Sequence, residues 1–283
     1  MNTRSALPNS QQKLWLGFVL LGYALFCLGL TFYLSHYRPL QLPIAPTKPE
    51  LRDTEPEPRK EAHVDIKAMK QAFFNQLLPA IRQQNAEVQS HRQGLLSLQA
   101  SVSASQPLTP QQQGRLHSLA IQYRVPVAMN DDAILNELLQ RVDEVPASMI
   151  LAQAAIESAW GRSRFAKQAN NYFGQWCFAE GCGIVPKHRN PGANHEVAKF
   201  ESLDDAIAAY LRNINSHPAY AEVRQRRDQT RRLEQPLNSL EMIKGLEQYS
   251  ARGQDYISEL KSMIEFNQLQ RFDRENADLA SER

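Results

Sequence analysis

Glu157 is the first charged residue after an uncharged run from Val145 to Ile156, within VPASMILAQAAIESAWG. A helix that is apolar or small on every side belongs in the middle of a domain. Pro146 suits its first turn and Gly161 its C-terminal cap. Glu157 is thus expected in the last turn of a buried helix. The negative end of the helix dipole disfavours a further anion there, and burial also disfavours the charged form. Both effects raise its pKa. A carboxyl that stays protonated near neutral pH can act as a general acid, giving its proton to a departing oxygen. Ile156 and Trp160 offer a low-polarity wall beside it. The competing reading is an ion pair with Arg162 or Arg164, which would lower the pKa.

Cys177 and Cys182 lie close together in WCFAEGC, and Cys27 lies far away. A C-x4-C pair can bridge a tight hairpin, and such a bridge persists in an oxidising compartment. His188 and His195 follow, so zinc is a rival. Neither spacing matches the usual zinc patterns, and Lys187 and Arg189 share the loop. A disulfide is favoured over free thiols, and both over a metal; no cofactor is expected. Trp176 and Phe178 flank Cys177 at strand spacing, on one side of a regular hairpin. They could stack on a flat ligand or form a small core under the hairpin.

The elements that must hold these residues are mostly helical. Ile66, Met69, Phe73, Leu77 and Ile81 recur at helical spacing. They define an accessory helix within residues 63–101 that is expected to pack on the main domain, with Pro79 kinking or restarting it. A partner-binding helix is the alternative. The main domain is placed at 107–283. Thr109-Pro110 begins a helix to about Tyr123, and further helices read at about 131–142, 146–160, 203–216, 236–247 and 254–270. Ser202 and Asp205 form a capping pair. Between 171 and 200 the helical period gives way to Gly, Pro and short strand-like pieces, a small β-hairpin lobe. The fold class is mainly α, an α+β arrangement.

Ahead of this domain, Leu14–Leu34 carries no charge and is long enough to cross a hydrocarbon core of ~30 Å. Trp15, Tyr33 and Tyr37 sit near its ends. No small-x-small cleavage site follows, which favours an uncleaved transmembrane helix over a signal peptide. Residues 1–13 form a cytoplasmic tail, the positive-inside rule leaning weakly that way. Residues 35–62, rich in Pro and charge, form a disordered, extended linker. The 283 residues carry a net charge of +2 with a mean hydropathy of −0.49, so any membrane segment is a minority of the chain. No basic stretch interleaved with aromatics suggests nucleic acid.

AAIESAWGRSRFAKQANNYFG resembles the glucosaminidase signature of bacterial autolysins and flagellar wall hydrolases, a helix ending in E-S-x-W-G and then N-N-x-F-G. The run from KQAFFNQLLPAIRQQNAEV through LLQRVDEVPASMI and NSHPAY to QYSARGQDYISEL resembles the Bax-type subgroup of that family, in order over roughly 65–270. The resemblance implies a lysozyme-like fold and hydrolysis of peptidoglycan between N-acetylglucosamine and N-acetylmuramic acid. It gives Glu157 the catalytic acid position. Asn170 and Asn171 take the paired-Asn position before Phe173-Gly174, implying substrate contact; turn formation is the plainer alternative. Tyr220 takes the position of a cleft tyrosine, or packs in the core with its hydroxyl satisfied. Many members have a second Glu in the β-lobe, where this chain has Lys187 and His188. Glu196 and Glu180 are the remaining candidates. Separations of ~5 Å or ~6.5–9.5 Å would distinguish retention from inversion, and the substrate's acetamido group could replace the second carboxylate.

The expectation is therefore an inner-membrane-anchored glycoside hydrolase with its catalytic domain in the periplasm. Its partners are glycan strands and, through one helix, the membrane. The rivals are a lytic transglycosylase, a non-catalytic peptidoglycan-binding protein, and an interaction protein working through its 64–99 helix.

Overall fold

A computed structural model describes residues 65–273 apart from 188 and 191. The expected tail, membrane span and linker fall outside these residues, as does His188. No helix among the described residues is long and apolar enough to cross a membrane.

The domain is mainly helical. Helix α1 spans Ile66–Ser103, α2 Pro110–Gln122, α3 Asp131–Arg141, α4 Ala147–Ser158 and α5 Arg164–Ala169. Three short strands follow: β1 (Trp176–Cys177), β2 (Gly183–Ile184) and β3 (Glu196–Ala198). Then come α6 (Leu203–Ser216), a 3₁₀ turn (Pro218–Tyr220), α7 (Ala221–Arg232), α8 (Ser239–Met242), a second 3₁₀ segment (Ile243–Tyr249) and α9 (Gln254–Phe266).

Helix α1 runs through Pro79 without a break, so it does not restart there. A proline removes one backbone hydrogen bond. Here Leu77, Leu78, Ala80 and Ile81 are buried around it, and their packing holds the helical path. The helix rests on α3, α4 and α6. Asn85 in its middle reaches across to both the N–H and the carbonyl of Val145, ahead of α4.

The region expected as one helix over 236–247 is instead the four-residue α8 followed by 3₁₀ structure. Gly245 fits there because a Cβ would sit 2.5 Å from the backbone nitrogen of Val223. Helix α7 has no apolar period to announce it. Its buried residues are Val223, Arg224 and Arg227. The Arg227 guanidinium donates to the carbonyls of Gln140, Arg141, Asp143 and Glu144 and to Asn215 Oδ1. Burial opposes ionisation of Asp143, but Arg227, Arg231 and Arg92 hold its pKa below the usual value. This network fixes the chain where it enters α4.

The lobe is a three-stranded antiparallel sheet in the order β1-β3-β2, not a simple hairpin. Val197 faces Trp176 on one side and Ile184 on the other. Gly183 permits this pairing, since a Cβ would fall 2.0 Å from the Val197 carbonyl oxygen.

Candidate active site

Helix α4 is buried from Ala147 to Ala155, as its lack of charge requires. Its end differs from expectation. Ala159, not Gly161, is the left-handed cap, and Ala159, Trp160 and Gly161 all have positive φ. Two non-glycine residues in that region cost roughly 1–2 kcal/mol each. Trp160 N–H to Ala155 O (2.9 Å) and Gly161 N–H to Ser158 Oγ (2.7 Å) hold the turn. Gly161 suits its φ of 73°, and a Cβ there would lie tight against Tyr172 at 3.3 Å. The Trp160 ring packs edge-on against Phe73 of α1 at 5.5 Å, so it braces the turn against α1.

The surroundings of Glu157 are tyrosines. Oε1 accepts a hydrogen bond from Tyr256 Oη of α9 at 2.9 Å. Tyr256 stacks on Tyr249 at 5.5 Å with rings 4° from parallel, and Tyr249 lies 5.8 Å from Tyr220. Behind Tyr256, Gln153 Nε2 donates to its hydroxyl at 3.1 Å, and Tyr210 Oη donates to Gln153 Oε1. Gln153, Tyr210 and Tyr256 are all buried. This chain has one direction. Gln153 spends its acceptor on Tyr210 and points its donor at Tyr256, so Tyr256 gives its proton to Oε1. A proton on the neutral carboxyl then belongs on Oε2.

Oε2 faces Gly174, where a Cβ would stand 3.9 Å away. Gly174 is exposed. Neither Arg162 nor Arg164 pairs with Glu157; they donate to the carbonyls of Ala159 and Val185. Burial raises the Glu157 pKa to about 7. The Tyr256 hydrogen bond opposes this, Glu259 adds to it, and Arg252 opposes it.

Of the sequence candidates, Tyr220 joins this group: burial lifts its hydroxyl pKa to about 12, and the Glu157 charge adds to the shift. The others are used mainly in construction. Asn170 is the left-handed cap of α5, and its amide donates to the carbonyls of Phe200 and Glu201. Buried Asn171 donates to Gln175 O and Ala198 O and accepts from the N–H groups of Phe173 and Gln175. The pair therefore clamps α5 to the lobe, the turn-forming alternative. Phe173 is buried and stacks on Tyr210 at 4.3 Å, so its ring cannot meet a sugar. Trp176 is half-buried and stacks on His195 at 3.8 Å. Phe178 is 61% exposed.

Glu196 is the sequence candidate for a second carboxylate. It is buried, accepting from Gly181 N–H at 3.1 Å and Gly183 N–H at 2.7 Å. It is thereby committed to the turn between β1 and β2. Cys177 and Cys182 form a disulfide across that turn, with Cα atoms 6.2 Å apart. The two sulfurs and a Glu196 oxygen lie within 4.8 Å of one another; as a disulfide they offer no thiolate to a metal.

The tyrosines of α6 and α9 and the Gln153 relay were missed in the sequence. The one available signal was Gln153 itself, an amide in an otherwise apolar helix, which needs buried partners.

Comparison with known proteins is decisive at this point. Residues 133–269 match the glucosaminidase family, described as mannosyl-glycoprotein endo-beta-N-acetylglucosaminidase. Protein bax of Escherichia coli (strain K12) is 36% identical over 200 residues, covering 70% of this chain and 70% of that protein. This chain is a Bax-type member of the glucosaminidase family. The matched segment contains Glu157, Tyr210, Tyr220, Tyr249 and Tyr256, while α1 lies before it although it shares the same core. No solved structure matches the chain. Membership in this family points to glycosidase chemistry at the site built around Glu157.

Proposed function

We propose that this glucosaminidase-family protein hydrolyses the glycan backbone of peptidoglycan, cleaving after N-acetylglucosamine, with Glu157 as general acid. One observation carries the reading. A buried carboxyl with a pKa raised to about 7 has one oxygen held by Tyr256 and the other facing Gly174, an exposed residue. The proton on Oε2 passes to the bridging oxygen as the C1–O bond breaks. Glu196 is occupied by the lobe backbone, which favours the substrate's own acetamido oxygen as the group that closes on C1. Water then adds at C1 and returns a proton to the Glu157 carboxylate. Tyr220 and Tyr249 form the wall along which the sugar lies.

The engagement of Glu196 favours one rival as well, a lytic transglycosylase, which needs a single acid and no water. Mass spectrometry of digested sacculi separates the two. A reducing N-acetylglucosamine end is expected, and an anhydro end would mean transglycosylation. A protein that binds sacculi without releasing fragments would be a non-catalytic binder.

The same reading places the domain in the periplasm, tethered to the inner membrane by Leu14–Leu34. It is supported by that uncharged run and by a disulfide suited to an oxidising compartment. A topology reporter fused after residue 60 should report the periplasm, and a cytoplasmic signal would refute the placement.

A further inference from the structure

The stretch 162–199 holds Arg162, Arg164, Lys167, Lys187, Arg189 and Lys199 against only Glu180 and Glu196, an excess of four (six minus two) where the whole chain has an excess of two. Glu196 is buried and hydrogen-bonded to the lobe backbone, which leaves the exposed side of the lobe still more basic. Among the described residues, none of the six cations lies within ion-pair distance of an acid.

These cations lie in the turn that follows α4, in α5 and in the lobe. Arg162 is exposed in the turn that follows α4. Arg164, its guanidinium 4.9 Å over the Phe165 ring, donates to Val185 O at 3.2 Å and so ties that turn to the lobe. Lys187 is exposed just beyond, and Arg189 is fixed by donating to His195 O. The lobe also presents Phe178 and Val185, 61% and 47% exposed. Gly174, next to Glu157 Oε2, leads directly into β1.

We propose that this basic face, formed by the α4–α5 turn and the β-lobe, binds the carboxylates of the peptide stems on the glycan, so that the enzyme selects peptide-bearing over bare strands. The inference rests on the glycan-cleaving reading above. Charge complementarity identifies the occupant: a glycan stripped of its stems keeps one lactyl carboxylate per disaccharide, whereas each stem adds several carboxylates. The attachment of this face to the turn that ends α4, the helix carrying Glu157, favours a substrate group over a remote anion such as a lipid headgroup.

The test measures binding by the full chain carrying Glu157→Gln, which removes the acid. Immobilised glycan strands are presented with intact stems, with the stem carboxylates amidated, and with the stems removed. Intact stems should bind about tenfold more tightly than either of the others, as expected for a few solvent-screened ion pairs, and the difference should shrink as salt is added. The double change Arg162→Gln/Lys187→Gln should abolish the difference, while Lys187→Arg alone should keep it; circular dichroism checks the fold of each. Equal binding to intact and amidated stems would overturn the inference while leaving the glycan reading standing. Binding to none of the strands would sink both. Tight binding to phosphatidylglycerol vesicles that Lys187→Gln weakens, with no preference among the strands, would assign the face to the membrane and also overturn it.

Discussion

The Tyr256 hydroxyl stands 2.9 Å from Glu157 Oε1 and is itself fed by Gln153. Burial raises the carboxyl pKa while this hydrogen bond restrains it. The acid is thus poised near neutrality instead of being driven far above it. Such poise suits a group that must give up a proton and take one back in each turnover.

Activity should follow the protonated form of Glu157. Its pKa is raised to about 7, so the rate of sacculus digestion should hold below that pH and fall about tenfold per unit above it. A rate that kept rising past pH 8 would mean that another group delivers the proton.

Tyr256→Phe removes the hydrogen bond that lowers the Glu157 pKa. The alkaline limb of the pH–rate profile should therefore move to higher pH. The Gln153 amide also loses its acceptor, at a stability cost of about 1–3 kcal/mol. A profile left in place would show that Tyr256 supports the fold without tuning the acid.

Glu157→Gln should stabilise the fold in alkali. The folded pKa is raised above the ordinary value of 4.5 to about 7. Relative to the unfolded chain, the neutral carboxyl's contribution is fully present below about 4.5 and is lost as pH rises through about 7. Gln removes that titration and can still accept from Tyr256. The melting temperature of the variant minus that of wild type should be larger at pH 8.5 than at pH 5, by the equivalent of about 1–3 kcal/mol. A difference independent of pH would argue against a buried, raised carboxyl.

Asn171→Ala should act on stability first. It deletes a side chain making four hydrogen bonds to backbone, so a loss of about 2–4 kcal/mol is expected in thermal unfolding. A raised KM with an unchanged Tm would instead make Asn171 a sugar ligand.

Much of this arrangement is legible in the sequence because it depends on local composition. The uncharged α4 announces burial, and burial announces an unusual Glu157. Thr109 and Ser202 mark helix starts that the structure caps as expected. What is hidden depends on contacts between distant elements. Tyr210, Gln153 and Tyr256 come from three helices, and each alone reads as ordinary core. Helix α7 is invisible to hydrophobic period because Arg227 anchors it through carbonyls at the end of α3 and in the loop after it. Glu196 looks like a free acid at the edge of a loop until the strand pairing turns it toward Gly181 and Gly183. Pro79 misleads because packing on both sides of a long helix outweighs one missing hydrogen bond.

The most direct measurement is the titration of the Glu157 carboxyl carbon by ¹³C NMR, with Glu157→Gln identifying its resonance. A midpoint near 7 is expected. A midpoint at the ordinary glutamate value would mean that the carboxyl is ionised throughout the physiological range, and Glu157 could not be the acid proposed here.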